Sequence, residues 1–278
     1  MARIAINGFG RIGRLFFRAA VNNPGMEIVA INDLGDIENL AYLLKYDTIY
    51  GRFREEVAVK DGALVVGGKE VKVLHVKEPS ELPWKELGVD IAVEATGVFE
   101  TYEKARAHLA AGARRVVLTA PAKDDDGAEA KTVLVGVNDG EFESTILTSN
   151  GSCTTNAAAP VIQIMSENPG IEKAFLNTVN GYTATQNLVD GPTRGHDFRR
   201  GRAGAQNIVP STTGAAIAVT RAIPELEGKF DGVSMRVPIL TGSVADITFL
   251  AKRKVTEEEV NDIFREAAND PRWQGILT

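Results

Sequence analysis

The stretch ARIAINGFGRIGR, residues 2 to 14, constrains the fold more than any other part of the chain. An apolar β run stops at Asn7, glycines stand at Gly8, Gly10 and Gly13, and a helix-like run, RLFFRAAVNN, occupies residues 14 to 23. Glycine at this spacing permits a tight strand-to-helix turn, lets backbone approach a pyrophosphate, and packs helix closely on strand. Free N–H groups at the helix start then face the anion. The next β run, EIVAIND, ends at Asp33, twenty positions after Gly13 (33 − 13 = 20), where a carboxylate can accept hydrogen bonds from an adenosine ribose. The same carboxylate would repel a 2′-phosphate, so the pattern favours NAD over NADP. The alternative, glycines that only shape a turn and an aspartate that caps a loop, accounts less well for strand, turn, helix and acid arriving in this order.

Alternation continues along the first half. ENLAYLLKY (38 to 46) reads as a helix, DIAVEAT (90 to 96) as a buried strand, TYEKARAHLAAGA (101 to 113) as a helix ended by Gly112, and RRVVLTAP (114 to 121) as the next strand. Two further β runs, KTVLVGVN and STILTSN, precede residue 150. This βαβ order predicts an α/β fold: a Rossmann-type, doubly wound parallel sheet over residues 1–151, followed by a second, α+β catalytic domain over 152–278. In the second half AFLNTVNGYTATQ (174 to 186), GVSMRVPIL (232 to 240) and SVADITFLAKRKV (243 to 255) predict a more antiparallel sheet. Thr256 and Glu259 have capping-box spacing at the start of a last helix. The acidic DDDGAE (124 to 129) reads as a solvated loop, and no metal site is expected.

A length of 278 residues suits two domains, and 44% hydrophobic with 24% charged residues is ordinary globular composition. The net charge of −6, without a basic stripe, argues against nucleic acid and anionic membrane as partners. Every hydrophobic run is interrupted by polar residues, so no membrane span is expected, and the lone cysteine and absence of a leader pattern at Met1 predict a cytoplasmic protein.

That cysteine, Cys153, lies in NGSCTTN, just before the helix-like AAAPVIQIMSENP. If the helix begins at Thr154 or Thr155, its N–H groups and the positive end of its dipole favour a thiolate. A lone cysteine is more often a small buried hydrophobe, but the hydroxyls of Ser152, Thr154 and Thr155 and the nucleotide fold ahead of it favour a nucleophile.

INGFGRIGR, EATGVF, SNGSCTTN, TATQ…VDGP, STTGAA and MRVP together resemble phosphorylating glyceraldehyde-3-phosphate dehydrogenase, in order and over the whole chain. The resemblance implies that Cys153 attacks the aldehyde of glyceraldehyde 3-phosphate and that the adduct gives hydride to NAD. Inorganic phosphate then releases the thioester as 1,3-bisphosphoglycerate. Thr183 and Arg236 are implied in binding the substrate phosphate, and Ser152, Thr154, Thr213 and Gly214 in binding inorganic phosphate; Arg200, which matches an arginine of many bacterial members, joins this substrate- and phosphate-binding set. Arg11 and Ile12, with the three glycines and Asp33, would hold the cofactor's pyrophosphate and ribose, and Lys77, Thr96, Gly97 and Thr119 would lie along it.

Two departures stand out. Where the family motif has a histidine before TATQ, this chain has TVNGYTATQ, with Asn180. An amide can donate to an oxyanion but is no base near neutral pH, so Asn180 is expected to support the oxyanion while turnover is slow. His75, His108 and His196 lie elsewhere in the pattern, and His108 reads as a helix-face residue. Family members also continue for several tens of residues past the position of Thr278, which implies an incomplete sequence and an uncovered apolar face on the nucleotide domain. A homotetramer is implied as well, with residues 187 to 205 forming a loop that reaches a neighbour's cofactor site. A catalytically weak nucleotide-binding relative and a non-phosphorylating, cysteine-dependent aldehyde dehydrogenase remain as alternatives.

Overall fold

The computed structural model describes residues 1–193 and 196–278, in two compact units: Met1–Lys131 with Glu141–Asn150, and Thr132–Gly140 with Gly151–Thr278. Among the described residues no helix is long and apolar enough to cross a membrane.

The first unit is built on a nine-stranded sheet. Strand β1 (Ala2–Asn7) leads through helix α1 (Arg11–Ala20) to β2 (Met26–Asn32), and helix α2 (Ile37–Lys45) follows, capped by the Asp36 carboxylate. A short hairpin, β3 (Tyr46–Asp47) with β4 (Gly51–Arg52), precedes an antiparallel meander of β5 (Val57–Lys60), β6 (Ala63–Val66) and β7 (Lys69–Leu74). Strand β8 (Ile91–Glu94), helix α3 (Tyr102–Ala110), and strands β9 (Arg115–Leu118), β10 (Ala130–Thr132) and β11 (Leu147–Ser149) complete it.

The strand order is β10-β11-β9-β8-β1-β2-β7-β6-β5, parallel from β11 through to β7. Both faces of this parallel region are covered, which is why its strands read as apolar runs. In β1, Ile4 and Ile6 join the core under α1 and α2, while Ala5 between them packs on the opposite face with Trp84 and Ala92. From β1 the chain moves one way to β2 and later the other way to β8, so the order reverses between β1 and β8. A crevice at the carboxyl ends of those strands is where such sheets bind ligands.

In the second unit, helix α4 (Cys153–Glu167) is followed by β12 (Ile171–Gly181), β13 (Val209–Ser211), α5 (Ala215–Ala222), β14 (Phe230–Val237), β15 (Ser243–Ala251) and α6 (Glu257–Asn269). The four strands stand in the order β13-β14-β12-β15. The sheet is the more antiparallel one expected, with β13 and β14 antiparallel and β12 and β15 antiparallel, but its central pair departs from that pattern: β12 runs parallel to β14, because α5 lies between them in the chain and returns it to the same end. One face of the sheet packs Leu176 and Phe230 against α4 and α5 residues such as Ile162, Met165 and Val219. The other face leaves Phe175, Val233, Val244 and Leu250 exposed.

Other local expectations need adjustment. Of KTVLVGVN only Lys131 and Thr132 are in a strand, β10; Leu134 beyond it packs in the second unit's core, where Arg272 Nε donates to the Gly136 carbonyl at 2.6 Å. The acidic loop does more than meet solvent, since the Asp124 carboxylate accepts the Tyr102 and Glu103 N–H groups at 2.8 and 3.0 Å and so caps α3. At α6 the Thr256 hydroxyl accepts from Glu259 N as expected, but the Glu259 carboxylate pairs with Arg253 at 2.6 Å instead of closing the box. His108 is no helix-face residue: it is wholly buried, with Trp84 and Glu94 as partners. In the 187 to 205 stretch Phe198–Gly201 forms a 3-10 turn, and residues 194 and 195 of that loop lie outside the described residues.

Candidate active site

In the first unit a cavity of about 480 Å3 opens at the carboxyl ends of β1, β2 and β8. The glycine turn forms one wall. Gly8 has φ +92°, and a Cβ there would stand 2.6 Å from Thr96 N; a Cβ at Gly13 would collide with the Gly8 carbonyl. Helix and strand therefore touch backbone to backbone. Gly10, the N-cap of α1, has nothing within 4 Å of a would-be Cβ, so the helix N-terminus is open where an anion would sit.

Asp33 also lines this cavity. Its Oδ2 accepts the Phe9 N–H at 2.7 Å and its Oδ1 the Gly35 N–H at 2.8 Å, so the carboxylate is fixed to the glycine turn while each oxygen keeps a lone pair for a ribose hydroxyl. Leu34 and Val98, 65% and 63% exposed, add apolar surface suited to a flat ring. A close backbone cradle, an open helix terminus, a fixed carboxylate and apolar walls fit a dinucleotide.

The cavity brings together Gly8, Gly10, Asp33, Lys77 and Thr96 from the expected set. Gly13 acts from behind, through its contact with Gly8. Gly97, at φ +68°, stands between the lining residues Thr96 and Val98. Thr119 donates through N and Oγ1 to the Glu94 carbonyl, both at 3.0 Å, and is not a wall residue. Arg11 is turned to Asp47 at 3.2 Å, and Ile12 is 52% exposed. Asn7, Asn32, Val76 and Phe99 also line the cavity and went unnoticed in the sequence.

The second unit holds the thiol. Helix α4 starts at Cys153 itself, one residue earlier than the first of the expected starts, because Ser152 is the N-cap and its Oγ accepts the Thr155 N–H at 3.1 Å. Cys153 is exposed at the first helical position, beside N–H groups that lack intrahelical partners. Arg236 lies within electrostatic reach. Burial lowers its ordinarily high pKa, the Arg200 charge lowers it further, and the Cys153 thiolate opposes both. Arg236 Nη1 donates to the Gly181 carbonyl at 3.0 Å, and Arg200 Nη2 to Ser211 Oγ at 2.9 Å. Two guanidinium groups close enough to repel each other form a place where a phosphate is welcome.

Asn180 sits inside this region and is 2% exposed. Its Oδ1 accepts from Thr154, Thr178 and Ser243 hydroxyls at 3.2, 3.1 and 2.6 Å, and its Nδ2 donates to Ser234 Oγ at 3.0 Å. Thr154 Oγ1 is also 3.9 Å from Cys153 Sγ, so a hydroxyl stands between thiol and amide. Thr178, Ser234 and Ser243 had no place in the sequence reading; their alternation on β12, β14 and β15 was the available signal. Of the residues expected to hold phosphate, Ser152 and Thr213 use their hydroxyls on backbone N–H groups of Thr155 and Ala215. Gly214, at the N-cap of α5, is open, and exposed Thr183 shares a 3.0 Å hydrogen bond with Thr185.

Comparison with known proteins agrees with both halves. Residues 2–102 match the family model described as glyceraldehyde 3-phosphate dehydrogenase, NAD binding domain, and residues 152–278 match its C-terminal domain. The chain is similar to glyceraldehyde-3-phosphate dehydrogenases of Clostridium pasteurianum (51% identity over 97% of this chain and 80% of the relative) and Streptomyces coelicolor (48%, over 99% and 81%). The enzyme of Borreliella burgdorferi is 47% identical over 99% of this chain and 82% of its own length. With the dinucleotide cavity in one unit and the helix-borne thiol in the other, the chain belongs to the glyceraldehyde-3-phosphate dehydrogenase family and is an NAD-dependent oxidoreductase of glycolysis.

Proposed function

We propose that this chain oxidises glyceraldehyde 3-phosphate in the phosphorylating manner through Cys153, without a side-chain base and at a reduced rate. The observation that carries this is Cys153 at the start of α4, exposed and electrostatically coupled to Arg236. The thiol proton leaves to solvent, and the thiolate adds to the aldehyde carbon, moving the C=O π electrons onto oxygen. The glycine turn and Asp33 would hold NAD, which would supply the acceptor for the hydride whose departure turns this oxyanion adduct into a thioester. Phosphate oxygen then adds to the thioester carbonyl, the C–S bond breaks, and the acyl phosphate departs as Cys153 regains its thiolate. No base is needed to form the thioester as long as the oxyanion stays unprotonated. Asn180 fits that role in chemistry, because Nδ2 has two N–H groups and Ser234 takes one. Arg236, Arg200 and Thr183 are assigned to the substrate phosphate, and Thr154, Thr213, Gly214 and Ser152 to inorganic phosphate.

The amide held by four hydroxyls favours a second reading, a catalytically weak relative that binds nucleotide. NADH formation with NAD and glyceraldehyde 3-phosphate, with and without inorganic phosphate, separates the two. Continuous phosphate-dependent turnover supports the first; no NADH, or a single burst equal to the enzyme concentration, supports the second. Turnover indifferent to phosphate would instead identify a non-phosphorylating aldehyde dehydrogenase.

The chain is further proposed to work in the cytoplasm as a homotetramer. The exposed Phe175, Val233, Val244 and Leu250 on the open face of the second unit's sheet support self-association, and so does Asn177 Oδ1, which is buried without a partner. Sedimentation of the purified chain tests this.

A further inference from the structure

Beneath the dinucleotide cavity lies a buried polar layer that the reaction does not use. Trp84 and His108 are fully buried, and Asn7, Glu94 and Asn32 are 2%, 3% and 4% exposed. Trp84 Nε1 donates to His108 Nδ1 at 3.0 Å. An indole N–H can only donate, so Nδ1 must be the acceptor and the ring proton sits on Nε2, which donates to Glu94 Oε2 at 3.0 Å. Asn7 Nδ2 donates to the same oxygen at 2.6 Å, and the other oxygen takes both the N–H (2.8 Å) and the hydroxyl of Thr96. Asn7 Oδ1 in turn accepts from Asn32 at 2.7 Å.

Each member thus has its orientation dictated by the one before it. The layer ends on Asn7, Asn32 and Thr96, three residues of the cavity wall, whereas His108 is not on that wall. We propose that His108, kept in its Nε2–H form by Trp84, is a positioning residue for NAD. It aims the Glu94 carboxylate, and Glu94 holds the Thr96 backbone and the Asn7 amide in the geometry that receives the cofactor. This role rests on the assignment of the cavity to NAD and is independent of Cys153 chemistry.

The test is calorimetric titration of the 278-residue chain with NAD, without aldehyde, beside thermal melting and ¹⁵N NMR of labelled histidine. Replacing His108→Phe keeps a ring but removes both nitrogens and should raise the Kd for NAD about tenfold at temperatures where the variant is folded. His108→Gln, which can accept from Trp84 and donate to Glu94, should recover most of that loss. In the unsubstituted chain NMR should show the proton on Nε2. Trp84→Phe serves if His108→Phe does not fold: it leaves Nδ1 without its donor while Glu94 still holds the proton on Nε2, so the ring loses one of its two anchors and NAD should bind severalfold more weakly. The role is overturned if the proton is found on Nδ1, or if folded variants melt earlier while their Kd stays within twofold of the parent. Failure of the unsubstituted chain to bind NAD would refute the cavity assignment and this role together, before any substitution is made.

Discussion

Thr154 Oγ1 donates to Asn180 Oδ1 at 3.2 Å, joining the second residue of α4 to the penultimate residue of β12. The same hydroxyl neighbours the thiol, so position 180 is in reach of the chemistry through one intermediary. Asn180→His would put a titratable ring among hydroxyls that can orient it. The expected outcome is a rise in phosphate-dependent NADH formation of about a hundredfold or more, the usual worth of a general acid-base group. An unchanged rate would refute the account of slow turnover.

The glycines of the turn should separate stability from binding. At Gly13 an added methyl meets the Gly8 carbonyl, a backbone atom that cannot yield, and Gly13→Ala should cost about 3 kcal/mol in chemical denaturation. At Gly10 the methyl meets no protein atom, so Gly10→Ala should melt like the parent yet bind NAD at least about tenfold more weakly, since the methyl occupies the diphosphate's approach. Equal losses of stability in both variants would contradict this division.

Ser152 holds the first turn of α4 and therefore the backbone beneath Cys153. Loss of the cap in Ser152→Ala should cost about 1 kcal/mol. The rate of Cys153 alkylation should change as well, because the N–H groups around the sulfur are no longer fixed. A change in melting temperature with identical alkylation kinetics would confine Ser152 to a structural role.

Asp47 carries a pH signature. Burial pushes its carboxyl up, but the N–H groups of Tyr50 and Ile49 and the charges of Arg11 and Arg18 outweigh this and leave it below its ordinary 3.8. A carboxylate with a lowered folded pKa stabilises the native state above its unfolded value, and this contribution is lost as the pH falls through the folded value. Asp47→Asn should therefore be less stable than the parent at pH 7, by up to about 1 kcal/mol, with the gap closing below pH 3.8. Melting curves from pH 7 down to the acid limit check this; a gap that persists in acid would show that the charge is irrelevant.

What was legible in the sequence was what depends on neighbours along the chain. The turn at Gly8, Gly10 and Gly13 follows from local sterics, and the cap at Thr256 follows from a short-range bond, whereas the Ser152 cap, which starts α4 one residue early, was missed. Asp33 was legible because its distance from the turn is set by one strand-helix-strand unit. His108 was not, because its partners lie 24 residues away at Trp84 and 14 away at Glu94, and an alanine-rich helix looks the same whether it meets water or an indole. The hydroxyls around Asn180 come from four separate elements or positions, and only strand pairing assembles them. The parallel run of β12 and β14 was signalled by the helical AAIAVTRA between them, a connection rather than an alternation pattern.

Cys153 is the sole sulfhydryl in 278 residues and it is exposed. Any thiol reagent therefore reads one position, and moles of label per mole of chain count competent sites directly. A spectroscopic tag placed there needs no background cysteines removed. The residue proposed to perform the chemistry is also the protein's built-in reporter, and protection of that single signal by substrate or phosphate would report occupancy without turnover.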